Sequence, residues 1–204
     1  AQCGYRYTYR LIDLQVLGHD VSALPSLLES AEREGFRGLN ITHPCKQLVI
    51  PHLDELSESA RIIGAVNTVV FRDGRRIGYN TDGSGFARAF REGANGVKLG
   101  RIVQLGAGGA GAAVAHAMLD IGARCVMLVD IVHERAAHLA SQLCQHFGLG
   151  RAVAVDDISA VMASADGLVH ATPTGMLSHP GLPLAAELER PDGFTADPVG
   201  DSAA

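Results

Sequence analysis

Leu105-Gly106-Ala107-Gly108-Gly109-Ala110-Gly111 decides the fold. It joins a short apolar run, Arg101-Ile102-Val103-Gln104-Leu105, to a run of helix-forming residues, Ala112-Ala113-Val114-Ala115-His116-Ala117-Met118-Leu119. Gly106, Gly108 and Gly111 have the G-x-G-x-x-G spacing in the strand-to-helix setting that this pattern requires. Gly106 serves the tight turn, Gly108 the close approach of backbone to a pyrophosphate, and Gly111 the packing of helix on strand. A helix N-terminus here presents free N–H groups and the positive end of its dipole to phosphates. The stretch therefore predicts a dinucleotide site, set against the alternative of a Gly-rich turn with no ligand.

Downstream, strand and helix patterns alternate: strand Cys125 to Val129, helix His133 to Phe147, strand Ala152 to Val155, helix Ile158 to Ala163, strand Gly167 to Ala171. Such a βαβαβ run predicts a doubly wound parallel sheet with right-handed crossovers. Asp130 follows the second strand, 24 positions after Gly106. That is close to the ~20-residue offset at which an acidic residue takes the adenosine ribose. Its carboxylate would accept hydrogen bonds from the 2′-hydroxyl and repel a 2′-phosphate, so NAD is favoured over NADP. The alternative role for Asp130 is to cap the helix that follows. Ala171-Thr172-Pro173-Thr174-Gly175 ends a strand where ligands sit in such sheets, although a plain structural turn fits its composition equally well.

Upstream, the tyrosines of Tyr5 to Leu11 fall on one face of a period-two pattern and predict a strand. A helix is expected over Val21 to Glu34, with Ser22 as N-cap, Pro25 in the first turn and Gly35 as terminator. Gly38 to Thr42 reads as a strand stopped by Pro44, and Lys46 to Ile50 and Leu53 to Ile63 as helices, interrupted at Pro51 and ended by Gly64. Ala65 to Phe71, the Asp73-Gly74 turn and Arg76 to Tyr79 predict a β-hairpin. Asn80-Thr81-Asp82-Gly83 closes this half, with a helix from Ser84 to Glu92. Gly93 to Gly100 has the composition of an exposed connection, which places the boundary within 83–100.

The totals fit an α/β protein of one large domain or two small ones. The chain has 204 residues, 47% hydrophobic content, abundant Gly and Ala, 5% aromatics and no Trp. A net charge of -5 without a Lys/Arg cluster disfavours nucleic acid and membrane surfaces as partners. Cys3, Cys45, Cys125 and Cys144 form no C-x-x-C pair, so reduced thiols and a cytoplasmic location are expected. No apolar run approaches the ~20 residues of a membrane span. His133 and His138 are five apart and no H-E-x-x-H occurs, so no metal is expected.

In the first half, polar residues gather at the ends of apolar strands: Asn40, Thr42 and Lys46, then Asn67, then Asn80 and Asp82. Gly38-Leu39-Asn40-Ile41-Thr42-His43-Pro44-Cys45-Lys46, Gly64-Ala65-Val66-Asn67-Thr68 and Asn80-Thr81-Asp82-Gly83, in this order and followed by the Gly-rich turn, resemble the shikimate dehydrogenase family. Within it they resemble the NAD-using quinate/shikimate dehydrogenase branch. The resemblance runs from about Arg10 to Asp197.

It implies an α/β substrate domain over 1–85 and a Rossmann-type NAD-binding domain over 86–204, with the substrate between them. Lys46 and Asp82 match the family's catalytic pair, and Asn40, Thr42 and Asn67 match positions near the substrate's hydroxyls. Gly106, Ala107, Gly108, Gly109 and Gly111 match the phosphate loop, Asp130 the ribose carboxylate, and Thr172, Pro173, Gly175 and Met176 the loop on the nicotinamide side. The implied reaction belongs to the shikimate pathway of aromatic amino acid biosynthesis. It is reversible hydride transfer between NAD and the ring carbinol of shikimate or quinate, the ketones being 3-dehydroshikimate or 3-dehydroquinate. An ammonium can give the proton that the new alkoxide needs and the amine can take it back, which makes Lys46 the proton shuttle and Asp82 the group that orients it.

The sequence also departs from the family. The first strand, with two serines for the substrate carboxylate, has no counterpart, and neither has the C-terminal part with a substrate-binding Gln. Asp197 fits an Asp-Val-Tyr-like strand, but Pro198-Val199-Gly200-Asp201 does not continue it, and His170 stands where Asn is usual. The expectation is a chain truncated at both ends. The expected partner is a small cyclic hydroxy acid, and the expected state a monomer or homodimer. The alternatives are an NADP-dependent shikimate dehydrogenase, an aminoshikimate dehydrogenase, or an inactive ligand-sensing homologue.

Overall fold

The structure, a computed structural model, describes residues 8–94, 96–174 and 194–196. Its first half begins with irregular backbone. Tyr9 and Leu11 are exposed, and Arg10 pairs with Glu34 at 2.7 Å and lies over the Phe36 ring. The expected strand is therefore not formed over residues 8–11, because no strand runs beside them to pair with among the described residues; Tyr5 to Tyr7 lie outside the described residues. Helix α1 (Leu24–Arg33) follows a 3-10 turn, Val21–Ala23. Asp20, not Ser22, caps this start, its Oδ1 accepting from Ser22 N at 2.7 Å. Pro25 in the first turn has no N–H to be capped, so the capped amide lies one turn earlier. Leu24, Leu28 and Ala31 form the buried face of α1, and full burial of Leu28 contributes about 1.5–3 kcal/mol.

Strand β1 (Gly38–Asn40) leads through Pro44 into α2 (Cys45–Leu48) and a 3-10 turn, Ile50–His52. The helix expected over Leu53 to Ile63 forms only in its second part. A two-residue strand β2 (Glu55–Leu56) precedes α3 (Glu58–Ile63), whose N-cap Ser57 accepts from Ala60 N at 3.2 Å. Asp54 N and Ser57 N donate to Arg76 O and Gly78 O, so β-pairing satisfies this backbone before the cap starts the helix. The hairpin forms at the expected turn, with its first strand starting at Thr68 and not at Ala65: β3 (Thr68–Arg72) and β4 (Arg75–Tyr79) join through Asp73 and Gly74, both at positive φ. The sheet order is β1-β3-β4-β2, antiparallel except for the β2–β4 pair.

Helix α4 (Asp82–Gly93) starts two residues earlier than the sequence suggested. Then come β5 (Arg101–Leu105), α5 (Gly109–Asp120), β6 (Cys125–Val129), α6 (His133–Phe147), β7 (Ala152–Ala154), α7 (Ile158–Met162), β8 (Gly167–His170) and β9 (Phe194–Ala196). The second sheet is parallel throughout, in the order β7-β6-β5-β8-β9. The chain moves outward from β5 to β7, then crosses back to β8 on the other side. The reversal opens a crevice beyond the carboxyl ends of β5 and β8, where ligands bind in such sheets.

One core unites the halves. Ile63, Ala65 and Phe90 from the first half of the chain are buried with Ala112, Val114 and Met118 of α5 and Leu139 of α6. Gly83 of α4 sits so close to α5 that a Cβ there would come within 3.0 Å of Ala113 O. The far face of the second sheet packs Val103, Leu105 and Leu168 against Met162. Cys45, Cys125 and Cys144 are free thiols, and burial pushes those of Cys45 and Cys125 up. Among the described residues no helix is long and apolar enough to cross a membrane.

Candidate active site

The short helix α2 starts at Cys45, immediately after the turn that ends β1, and this puts Lys46 beyond the carboxyl end of that strand. Val66 N donates to Lys46 O at 2.8 Å, fixing that backbone against the segment leading into β3. Asp82, the first residue of α4, lies beyond the carboxyl end of β4 and reaches Lys46. Lys46 Nζ donates to Asp82 Oδ2 at 2.6 Å, with the side chains 20% and 31% exposed. An ammonium has three donors, so this pair leaves Lys46 with hydrogens for an incoming oxygen.

Asn80 accounts for the position of Asp82. It is buried, its Oδ1 accepts from Asp82 N at 3.1 Å, and its Nδ2 donates to Ala65 O at 3.0 Å. One amide thus ties the start of α4 to the backbone that anchors Lys46. The sequence shows Asn80 only as a polar residue at a strand end.

Asn67 is committed as well. Its Nδ2 donates to Asp82 Oδ1 at 2.7 Å and to Thr81 Oγ1 at 2.9 Å, while its Oδ1 accepts from Thr68 Oγ1 at 3.0 Å and Thr81 N at 3.1 Å. All four hydrogen-bonding positions of the carboxamide are used, so a substrate hydroxyl reaching Asn67 must displace one of these partners. Asn40 and Thr42 differ. Both are exposed, Asn40 lies opposite Thr68 in the β1–β3 pairing, and their side chains make no hydrogen bond among the described residues.

The Gly-rich turn meets this cluster directly. A Cβ on Gly109 would lie 3.4 Å from both Lys46 Cβ and Ala65 Cβ. Gly106 has φ +95°, and a Cβ there would come within 2.5 Å of Ala171 O and 3.1 Å of Thr172 Cγ2, so the turn is pressed against the end of β8. Gly111 is as tightly held, since a Cβ there would run into Gly106 O. Gly108 differs from both: nothing lies within 4 Å of a Cβ built there. It is also the N-cap of α5 and offers no side-chain cap to the first N–H groups of that helix. Open space over uncapped helix N–H groups fits a pyrophosphate, so the turn has the shape and the donors that a dinucleotide needs.

Asp130 combines two roles. Its Oδ2 accepts from Ala107 N at 2.7 Å and its Oδ1 from Val132 N at 2.9 Å, so it holds the Gly-rich turn and also the entry to α6. Each oxygen keeps lone-pair capacity for a ribose hydroxyl. Thr172 Oγ1 contacts buried His170 Nε2 at 2.5 Å and accepts from Thr174 N at 3.2 Å, which shapes the turn beside Gly106. Pro173 is exposed on the same turn, whereas Gly175, Met176 and Asp197 lie outside the described residues. Among the described residues, no group of three or more His, Cys, Asp or Glu is placed to hold a metal ion.

Residues 1–69 match the family model for the shikimate dehydrogenase substrate binding domain. Over 198 residues the chain is 57% identical to the shikimate dehydrogenase (NADP(+)) of Streptomyces avermitilis, covering 96% of this chain and 68% of that protein. This chain belongs to the shikimate dehydrogenase family. It is also 45% identical over 201 residues to the quinate/shikimate dehydrogenase (NAD(+)) of Corynebacterium glutamicum strain R, with 96% and 70% covered. The solved quinate dehydrogenase from Corynebacterium glutamicum in complex with NAD superposes with a TM-score of 0.78 at 45% identity, over 88% of this chain and 64% of that one. The chain thus spans about two thirds of the length of these relatives. The family uses a nicotinamide dinucleotide, and the α/β sheet followed by a parallel Rossmann-type sheet is its architecture.

Proposed function

We propose that this chain carries the reaction centre of a dehydrogenase acting on the ring carbinol of shikimate or quinate, with Lys46 as proton shuttle and Asp82 as its partner. The observation that carries this reading is the Lys46 Nζ–Asp82 Oδ2 bond of 2.6 Å in a side-chain cluster that touches the Gly-rich turn. Residues 1–85 would hold the substrate and 86–204 the dinucleotide. The nicotinamide, when bound, supplies or takes the hydride. Lys46 gives a proton to the oxygen of the reduced ketone and recovers it in the reverse direction. Asp82 aims the ammonium through Oδ2, and Asn67 holds Oδ1 so that the carboxylate cannot rotate away. Asn40 and Thr42 offer free polar groups to the substrate's other hydroxyls.

For the cofactor, Asp130 supports NAD: a carboxylate at the end of β6 accepts from ribose hydroxyls and repels a 2′-phosphate. The 57% identity to an enzyme named for NADP(+) favours the second reading, NADP. Initial rates measured by reduced-nicotinamide absorbance, with shikimate and quinate against NAD and NADP, decide between them. Faster turnover with NAD than with NADP is expected on at least one substrate. Faster turnover with NADP assigns the site to that cofactor, and no turnover in any combination contradicts the reaction.

A further inference from the structure

Gln104, the penultimate residue of β5, is fully buried. Its neighbours across the sheet are Leu128 on β6 and Val169 on β8, both apolar. A buried amide in such surroundings needs partners, and Gln104 is only half provided for. Its Nε2 donates to Gly106 O at 2.9 Å and to Gly111 O at 2.8 Å, while its Oε1 has no partner among the described residues. Two carbonyl acceptors fix which end of the amide is nitrogen. Both donors are therefore spent on the Gly-rich turn, one at its first residue and one in the first turn of α5, and the acceptor has no partner among the described residues.

The Gly106–Ala107 peptide unit is held at both ends. Its carbonyl is held by Gln104 Nε2 and its N–H by Asp130 Oδ2 at 2.7 Å. A peptide unit is planar, so two bonds on opposite edges fix its orientation. We infer that Gln104 is a positioning residue for the pyrophosphate loop: with Asp130 it clamps the Gly106–Ala107 plane, and with Gly111 O it sets the distance from that plane to the helix N-terminus. The clamp shares Asp130 with the ribose position, so the two halves of an adenosine diphosphate group meet one rigid unit. This rests on the dinucleotide reading of the turn.

The test compares ADP and adenosine binding by NMR titration in wild type and Gln104→Met, which keeps length and removes both donors. Wild type should bind both ligands, and Gln104→Met should lose roughly tenfold in ADP affinity while keeping its adenosine affinity. Native-state hydrogen exchange should show the Ala107 amide opening faster in the variant, with the amides of β6 unchanged. Should Gln104→Met not fold, Gln104→Leu carries the same comparison. Equal ADP affinity in wild type and variant overturns the inference. Parallel loss of ADP and adenosine also overturns it, because Gln104 would then serve only the core. Failure of wild type itself to bind ADP overturns the dinucleotide reading instead.

Discussion

Gly109 faces Lys46: the residue that opens helix α5 is turned to the methylene stem of the lysine paired with Asp82, and a Cβ at 109 would sit 3.4 Å from Lys46 Cβ and 3.7 Å from its Cδ. The turn read as the dinucleotide loop therefore also lines the side of the Lys46 stem. A branched side chain at this position should displace Lys46. Gly109→Val is expected to lower kcat by roughly 10²-fold, since a misplacement of about 1 Å has that effect. Gly109→Ala, whose single methyl meets only van der Waals contacts, should lose much less. Steady-state kinetics at saturating cofactor check the order of the two variants.

Gly108 and Gly106 should respond in opposite ways to the same change. Gly108 has φ -76° and open space where a Cβ would point, so Gly108→Ala should keep or slightly raise stability, by about 0.4–1 kcal/mol. Its methyl group would occupy the space proposed for the pyrophosphate, and cofactor binding should be lost. Gly106→Ala forces a side chain to φ +95° against Ala171 O and should cost about 1–3 kcal/mol or more. Thermal unfolding and cofactor titration of both variants separate a ligand-facing glycine from a fold-facing one.

Removing the buried Asn80 amide leaves Asp82 N and Ala65 O without its two bonds. Asn80→Leu should destabilise by about 1–3 kcal/mol. It should also lower kcat at a temperature where the variant is fully folded, because the start of α4 is no longer tied to the Lys46 anchor. A loss of stability with kcat intact would confine Asn80 to the fold.

Acid sensitivity should arise at the packing of α5 on α6. His116 of α5 stacks on His146 of α6 with ring centroids 5.5 Å apart, and its Nε2 is buried without a partner among the described residues. Burial, then the neighbouring His146, hold its pKa below the ordinary 6.5, with Asp120 opposing. The folded state thus binds this proton less readily than the unfolded chain does. The stabilisation is complete above 6.5 and is lost as the pH falls from there through the folded value. Thermal midpoints between neutral pH and mild acid should fall more steeply for wild type than for His116→Leu.

The parts of the fold that were legible in sequence were those fixed by local chemistry. The Asp73-Gly74 turn, the Gly106 to Gly111 turn and the helix His133 to Phe147 each carry their instructions within a few residues. The β2 strand does not, since Glu55 and Leu56 become a strand only through pairing with Ile77 and Gly78. The same limit applies at the site. The glycines announce themselves by type and spacing and Lys46 and Asp82 by the motifs that resemble the family, whereas Asn80 and Gln104 act on backbone groups that any residue would supply. A polar residue placed next to last in β5, directly after the apolar Ile102 and Val103, was the one available signal for Gln104.

The central claim is that Lys46 moves the proton. Its most direct test is turnover by Lys46→Met, which keeps the apolar stem against Gly109 and removes the ammonium. The expected result is a fall in kcat of roughly 10²–10⁴-fold with cofactor affinity retained. Turnover by Lys46→Met at the wild-type rate would contradict the account.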